Sequence, residues 1–403
     1  MQTVSMNAGL SSAIDASRWI AALLVAVSHI HHLVLANFED VHNATLLWKA
    51  AYFCSSFGTE AVIVFFVVSG FLVGGLTTDK FLRAPGTGAT PTIASYFVQR
   101  FARIYTVLVP ALCVGLAFDV VGYKWFDGSH LYSDSSQYHT ISLDMRIVAG
   151  IDATTLLGNL LMLGNISVPV LGSNGPLWSL AYEWWYYCIF AALLGVSFRT
   201  GVQRWIGVAF IAAALALLPT KLLLWMLMWL VGMGAYFYIR SALPKPHPIL
   251  GLAALLAALC FSRFNHGNAG PAMTASAALF NQFVREMVLA LAFAFALTGF
   301  SRLQHPLAGA RLHAALAGFS YSLYLVHFPA MLFLVAAGAQ LFGLPFIAQP
   351  ALASYEWFAA ILLSVCVFAY AFSLVTERNT NKVASWLRRF VPASPVIPTK
   401  VPG

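Results

Sequence analysis

Charge is what this chain has least of. Of its 403 residues only 9% are Asp, Glu, Lys or Arg, and 60% are hydrophobic. A soluble domain carries about 25% charged residues. That deficit excludes an ordinary soluble fold and predicts a polytopic membrane protein. Basic runs interleaved with aromatics on a polar face are missing too, so the net charge of +8 does not point to a nucleic-acid partner. Cysteine is sparse: Cys54, Cys113, Cys188, Cys260 and Cys366 are an odd number, far apart, with no CxxC pair. A disulfide framework and a cysteine zinc site are thereby excluded, and these residues read as small packing groups. The start of the chain lacks the pattern of a signal peptide, no lipidation motif is present, and no internal repeat is visible.

Long apolar runs are what the chain has in their place. They predict about ten spans, near residues 13–36, 58–77, 104–122, 178–197, 205–219, 222–239, 248–262, 284–300, 314–341 and 356–376. The expected fold is all-α, a polytopic membrane protein of about ten transmembrane helices. Thr154 to Asn165 is too short to span and reads as re-entrant or interfacial. With the N-terminus cytoplasmic, the inner loops carry Lys80, Arg83, Arg100, Arg103, Arg199, Arg204, Arg240, Lys245, Arg302, Arg311, Arg378, Lys382, Arg388, Arg389 and Lys400. The outer side carries only Lys49, Lys124, Arg146, Lys221, Arg263 and Arg285. The positive-inside bias therefore predicts both termini in the cytoplasm. One transmembrane domain, 1–380, is expected, with an outer loop over about 123–177 and a cytoplasmic tail, 381–403.

The first span carries unusual chemistry for a lipid-embedded segment. Arg18 and His29 are eleven residues apart, which is three helical turns, close to one face, and about 16 Å along the axis. Asp15 stands one turn before Arg18 and can pair with it. An arginine near a helix end snorkels readily, but an imidazole at depth costs free energy and usually marks a site. Zinc is a further reading of His29, His32 and His42, yet no carboxylate or cysteine lies locally to complete a tetrahedron, and no metal is expected. An aligned guanidinium and imidazole suit a molecule with phosphates at one end, a thin arm, and a reactive tip: an acyl-coenzyme A.

Four more motifs follow. The second span reads IVFFVVSGFLVGG, with Phe65, Phe66, Ser69, Gly70 and Phe71. YFVQRFARIY supplies Arg100, Arg103 and Tyr105; LWSLAYEWWYY supplies Trp178, Ser179, Leu180 and Glu183; FSYSLYLVHFP supplies Ser320, Tyr321, Tyr324, Leu325 and His327. Ser320, Tyr324 and His327 fall at i, i+4 and i+7, one polar stripe on an apolar helix. His327 and His29 lie at similar depths, so the two can meet at one cavity. The blander alternatives are that Ser320 and Tyr324 are interhelical hydrogen-bonding groups, that Ser69 and Gly70 are a close-packing pair, and that Trp184, Trp185, Tyr186 and Tyr187 are an interfacial belt.

These five elements, in this order, resemble the acyltransferase-3 family of integral membrane acyltransferases, whose first-helix signature is Arg, ten residues, His. The resemblance covers most of the chain. Glu60 departs from it, standing where a small residue is commoner in the family. Glu377, in TERN, resembles a family glutamate and reads as structural. The resemblance implies a membrane O-acyltransferase that moves an acyl group, acetyl above all, from cytoplasmic acyl-coenzyme A to a hydroxyl of an envelope or secreted glycan, in a bacterial inner membrane. It implies no bound cofactor. His29, Glu183 and His327 are then the expected catalytic residues, Arg18, Arg100 and Arg103 the donor-binding residues, and Asp15, Ser69, Trp178, Ser320 and Tyr324 the cavity lining. The competing reading is a transporter or flippase in which Arg18, His29, Glu60, Glu183 and His327 line a polar path.

Overall fold

A computed structural model describes residues 6–84, 91–138, 147–265 and 274–390. Arg146, Lys400 and the tail from residue 391 onward lie outside the described residues.

Helices account for nearly all of the regular structure, because a chain this apolar in lipid must satisfy its backbone within each segment. In chain order they are α1 (Ala8–Val34), α2 (Leu46–Cys54), α3 (Gly58–Ser69), α4 (Leu76–Arg83), α5 (Ile93–Trp125), α6 (Ala153–Leu160), α7 (Trp178–Phe198), α8 (Gly201–Leu217), α9 (Thr220–Arg240), α10 (Pro248–Phe264), α11 (Ala275–Phe300), α12 (Ala310–Ala317), α13 (Ser320–Phe342), α14 (Leu352–Val375) and α15 (Thr380–Leu387). A π-helical turn, Gly70–Gly75, joins α3 to α4. Among the described residues only isolated β-bridges occur, such as Leu35 with Ala348.

Among the described residues seven stretches are long and apolar enough to cross a membrane: Ala8–Val34, Leu46–Arg83, Ile93–Trp125, Thr220–Arg240, Ala275–Phe300, Ser320–Phe342 and Leu352–Phe390. Gly201–Leu217 and Pro248–Phe264 are apolar but shorter. The molecule is a multi-pass membrane protein. Helix starts follow local chemistry. Asn7, Thr92 and Thr274 accept backbone N–H bonds from Leu10, Ser95 and Ala277, and Pro248 opens α10 where no N–H partner is needed. Gly343, at φ 63°, ends α13.

The bundle core sits where α1, α3, α5, α9 and α13 pack on one another. Two devices tie the connection between α6 and α7 into that core. Asp119 of α5 is 1% exposed, and its carboxylate accepts the Ser173 amide at 2.8 Å and the Ser173 hydroxyl at 2.6 Å. Gly172 beside it has φ +59°, and a Cβ there would lie 2.0 Å from Asp119 Oδ2. The other device starts from Pro329 within α13. Proline has no N–H to give the carbonyl of Leu325, four residues earlier. Asn174 Nδ2 donates to that carbonyl at 2.9 Å instead. Asp119→Ala is expected to strand both Ser173 donors and cost about 1–3 kcal/mol. A thermal unfolding midpoint equal to that of the unmodified protein would remove this anchor from the account.

Candidate active site

The two histidines from distant parts of the chain do meet. His29 of α1 and His327 of α13 stack with ring centroids 5.2 Å apart and planes 2° from parallel. His29 Nδ1 lies 2.9 Å from His327 Nε2. His327 is fully buried, and its Nδ1 faces two carbonyls, Tyr324 O at 2.8 Å and Leu323 O at 3.2 Å. Carbonyls only accept, so Nδ1 of His327 carries the proton and its Nε2 is the acceptor. His29 therefore donates from Nδ1, which leaves the Nε2 of a neutral His29 unprotonated. Backbone carbonyls thus fix the tautomers of both rings, and a free imidazole lone pair is the result. Phe328 packs edge-on against His29 at 5.3 Å.

A cavity of about 690 Å³ lies within the bundle. Ser179 and Tyr324 line it, together with Arg18, Arg100, Arg103, Glu377 and Arg388. Phe65, Ser69, Glu183 and Ser320 also contribute to its wall. His29 and His327 stand outside that wall. Tyr324 is the link, because its ring lines the cavity, meets Phe65 at 5.5 Å, and contacts the His327 ring at 5.9 Å. The Tyr324 hydroxyl donates to Pro176 O at 2.9 Å and accepts from Ser179 at 2.6 Å, so it holds α13 to the start of α7. Ser320 turns back to the Ala317 carbonyl.

The other expected residues divide. Asp15 and Trp178, expected in the lining, lie outside the wall. Asp15 is half-buried one turn before Arg18, 4.0 Å from it. Trp178 packs edge-on against Phe66 and Tyr182, with the Lys221 ammonium over its face at 5.7 Å. Glu183 makes no hydrogen bond to His29 among the described residues. Its Oε1 accepts from Tyr187 at 2.6 Å. With the tyrosine proton committed there, Ser69 donates to the Tyr187 oxygen at 3.0 Å and accepts the Trp229 indole N–H at 3.0 Å. The chain Trp229, Ser69, Tyr187, Glu183 gives the Ser69 proton to a phenol oxygen, not to a base, which leaves Ser69 a packing and hydrogen-bonding group. Gly70 next to it is in backbone contact with α9, as the close-packing reading requires: a Cβ there would lie 1.7 Å from Trp229 O. Among the described residues no three His, Cys, Asp or Glu side chains converge to hold a metal.

The basic side of the cavity is ordered by one carboxylate. Glu377 Oε1 pairs with Arg103 at 2.9 Å, and its Oε2 accepts the amide and hydroxyl of Ser322, each at 3.0 Å. It thus caps the first turn of α13, where an anion is favoured, and fixes a guanidinium on the cavity wall. Arg103 also lies over the Tyr321 ring at 4.6 Å. Arg100 rests over Tyr187 at 5.8 Å, and its Nε is buried without a hydrogen-bond partner. Glu60 is not among the lining residues: it is 2% exposed in the first turn of α3 and accepts from Ser262 of α10 at 2.7 Å.

The site thus sets a half-buried imidazole with a free lone pair near a cavity lined by four guanidiniums, inside an apolar helical bundle. A family model described as an acyltransferase domain matches residues 11–378, and the chain belongs to that family, the acyltransferase-3 family that its motifs resemble. The chain is 26% identical to Acyltransferase MdmB of Streptomyces mycarofaciens over 205 residues, 50% of this chain and 44% of that protein. It is 26% identical to an O-acetyl transferase of Shigella phage Sf6 over 183 residues, 44% of each. The match thus spans less than half the length of either relative. No solved structure matches the chain.

Proposed function

We propose that this protein is an O-acyltransferase of the bacterial inner membrane. It takes an acetyl group from cytoplasmic acyl-coenzyme A and esterifies a hydroxyl of an envelope or secreted glycan. The carrying observation is the His29–His327 pair, whose bonding leaves His29 Nε2 unprotonated, with Tyr324 linking His327 to a cavity lined by four guanidiniums. In this reading residues 1–380 form one transmembrane domain of ten spans with both termini cytoplasmic. Helices α1, α3 with α4, α5, α7, α8, α9, α10, α11, α13 and α14 each overlap one of the segments expected from the sequence, which supports it. The name of the phage relative supports acetyl as the group and oxygen as its acceptor.

The donor phosphates bind at Arg18, Arg100 and Arg103, with the arm along the cavity toward Tyr324. His29 Nε2 takes the proton of the acceptor hydroxyl while its oxygen attacks the thioester carbonyl. The C–S bond then breaks, the coenzyme A thiolate leaves, and the imidazolium returns the proton to sulfur. A dry apolar bundle suppresses hydrolysis. Family membership favours this reading over a transporter. In lipid nanodiscs with acetyl-coenzyme A and a glycan acceptor, one free thiol and one new ester are expected per turnover. Ion-coupled uptake of a solute with no thiol release would overturn the proposal.

A further inference from the structure

The segment after α14 was expected to be a tail, yet it builds part of the cavity. Thr380, Asn381, Ala384 and Arg388 all line it. At 100° per residue these positions lie within about one quadrant of a helix, while Trp386 and Phe390 fall on the opposite side. Those two aromatics are exposed, at 55% and 70%. A short helix with aromatics on one face and polar groups on the other suits a position flat in the headgroup region. Here α15 packs on α5, the helix that carries Arg100 and Arg103, and Glu377 at its start pins Arg103.

The charges around the cavity are unequal. Four guanidiniums, Arg18, Arg100, Arg103 and Arg388, share it with two carboxylates, Glu183 and Glu377. Both carboxylates are already committed, Glu183 to Tyr187 and Glu377 to Arg103 and Ser322. Arg100 Nε is buried and unpartnered, and Arg388 forms no ion pair among the described residues. A ligand with several negative charges is the complement of such a rim, and guanidinium forks match phosphate geometry.

We infer that α15 and Arg388 form the cytoplasmic lip of the cavity and grip a phosphate of the acyl donor there. The inference rests on the donor reading above and adds Arg388, with the polar face of α15, to the groups that hold it. A phosphate can also come from an anionic lipid headgroup, so the test separates the two sources.

The full chain is reconstituted in nanodiscs of phosphatidylcholine, with or without phosphatidylglycerol. Initial rates are measured with acetyl-coenzyme A and with S-acetyl-pantetheine, a thioester without phosphates. Arg388→Ala is expected to raise KM for acetyl-coenzyme A about five- to tenfold, with kcat little changed, since one charge-assisted bond is lost. KM for S-acetyl-pantetheine is expected to stay the same, and Arg388→Lys to restore part of the loss. An unchanged KM for acetyl-coenzyme A, or equal damage with both thioesters, would overturn the inference. So would an effect confined to nanodiscs with phosphatidylglycerol, which would assign Arg388 to a headgroup. If the unmodified protein turned over neither thioester, the donor reading itself would fail, and this lip with it.

Discussion

His29→Ala is expected to lower acetyl transfer by about 10²–10⁴-fold, the range that general-base catalysis supplies. The expectation rests on proton bookkeeping. His327 Nδ1 is held by the carbonyls of Tyr324 and Leu323, so its Nε2 accepts from His29 Nδ1. The lone pair on His29 Nε2 is then the only base this pair offers to an acceptor hydroxyl. His327→Ala removes the group that selects the tautomer but leaves the imidazole in place, and a loss of about 10–100-fold is expected, as for other supporting partners of a functional histidine. His327→Gln keeps a side-chain carbonyl able to accept from His29 Nδ1–H and should recover part of that loss. The readout is the initial rate of thiol release from acetyl-coenzyme A, normalised to monodisperse protein. Retention of more than about a tenth of the rate by His29→Ala would remove the histidine from the chemistry.

That pair also shows how far the sequence can be read. The spacing of Arg18 and His29 was legible because both sit on one helix, where counting residues gives face and depth. The similar depth of His327 was legible by the same count, but the contact of the two rings depends on α13 packing against α1, which no local pattern encodes. Tyr187 was hidden in a run of aromatics that suits an interfacial belt, although its place four residues after Glu183 was the signal of a helical hydrogen bond. Asp119 was visible as a lone carboxylate inside an apolar span, the kind of residue that marks a site or an anchor in a membrane. Its partner, Ser173, lies 54 residues away and could not be named. Pro329 announced that the Leu325 carbonyl needed a donor, without saying that Asn174 supplies it. The polar stripe of α15 was present at helical spacing, but a charged segment after the last span reads as a solvated tail until its neighbour α5 is known.

Gly70→Ala is expected to cost about 3 kcal/mol or more, at the upper end of what overpacking does to a core. Total stabilities are only about 5–15 kcal/mol, so bulkier residues there should abolish folded protein. The reason is a backbone-to-backbone crossing. A Cβ on Gly70 would lie 1.7 Å from Trp229 O, and a Cβ on Gly232 would lie 1.9 Å from Val67 O. Neither obstacle is a flexible side chain, so the helices themselves must separate, as small residues at a membrane helix crossing exist to prevent. Separation also draws the Trp229 indole away from Ser69, and the bonds that hold Tyr187 and Glu183 weaken with it. Stability and transfer should therefore fall together at this position. Gly234→Ala, on the same helix as Gly232, is the control, because a Cβ there meets nothing within 4 Å. Thermal midpoints followed by size-exclusion chromatography in detergent measure the difference. Equal midpoints for Gly70→Ala and Gly234→Ala would mean that the two helices do not cross at the distance described, and the hydrogen-bonded chain from Trp229 to Glu183 would lose its support.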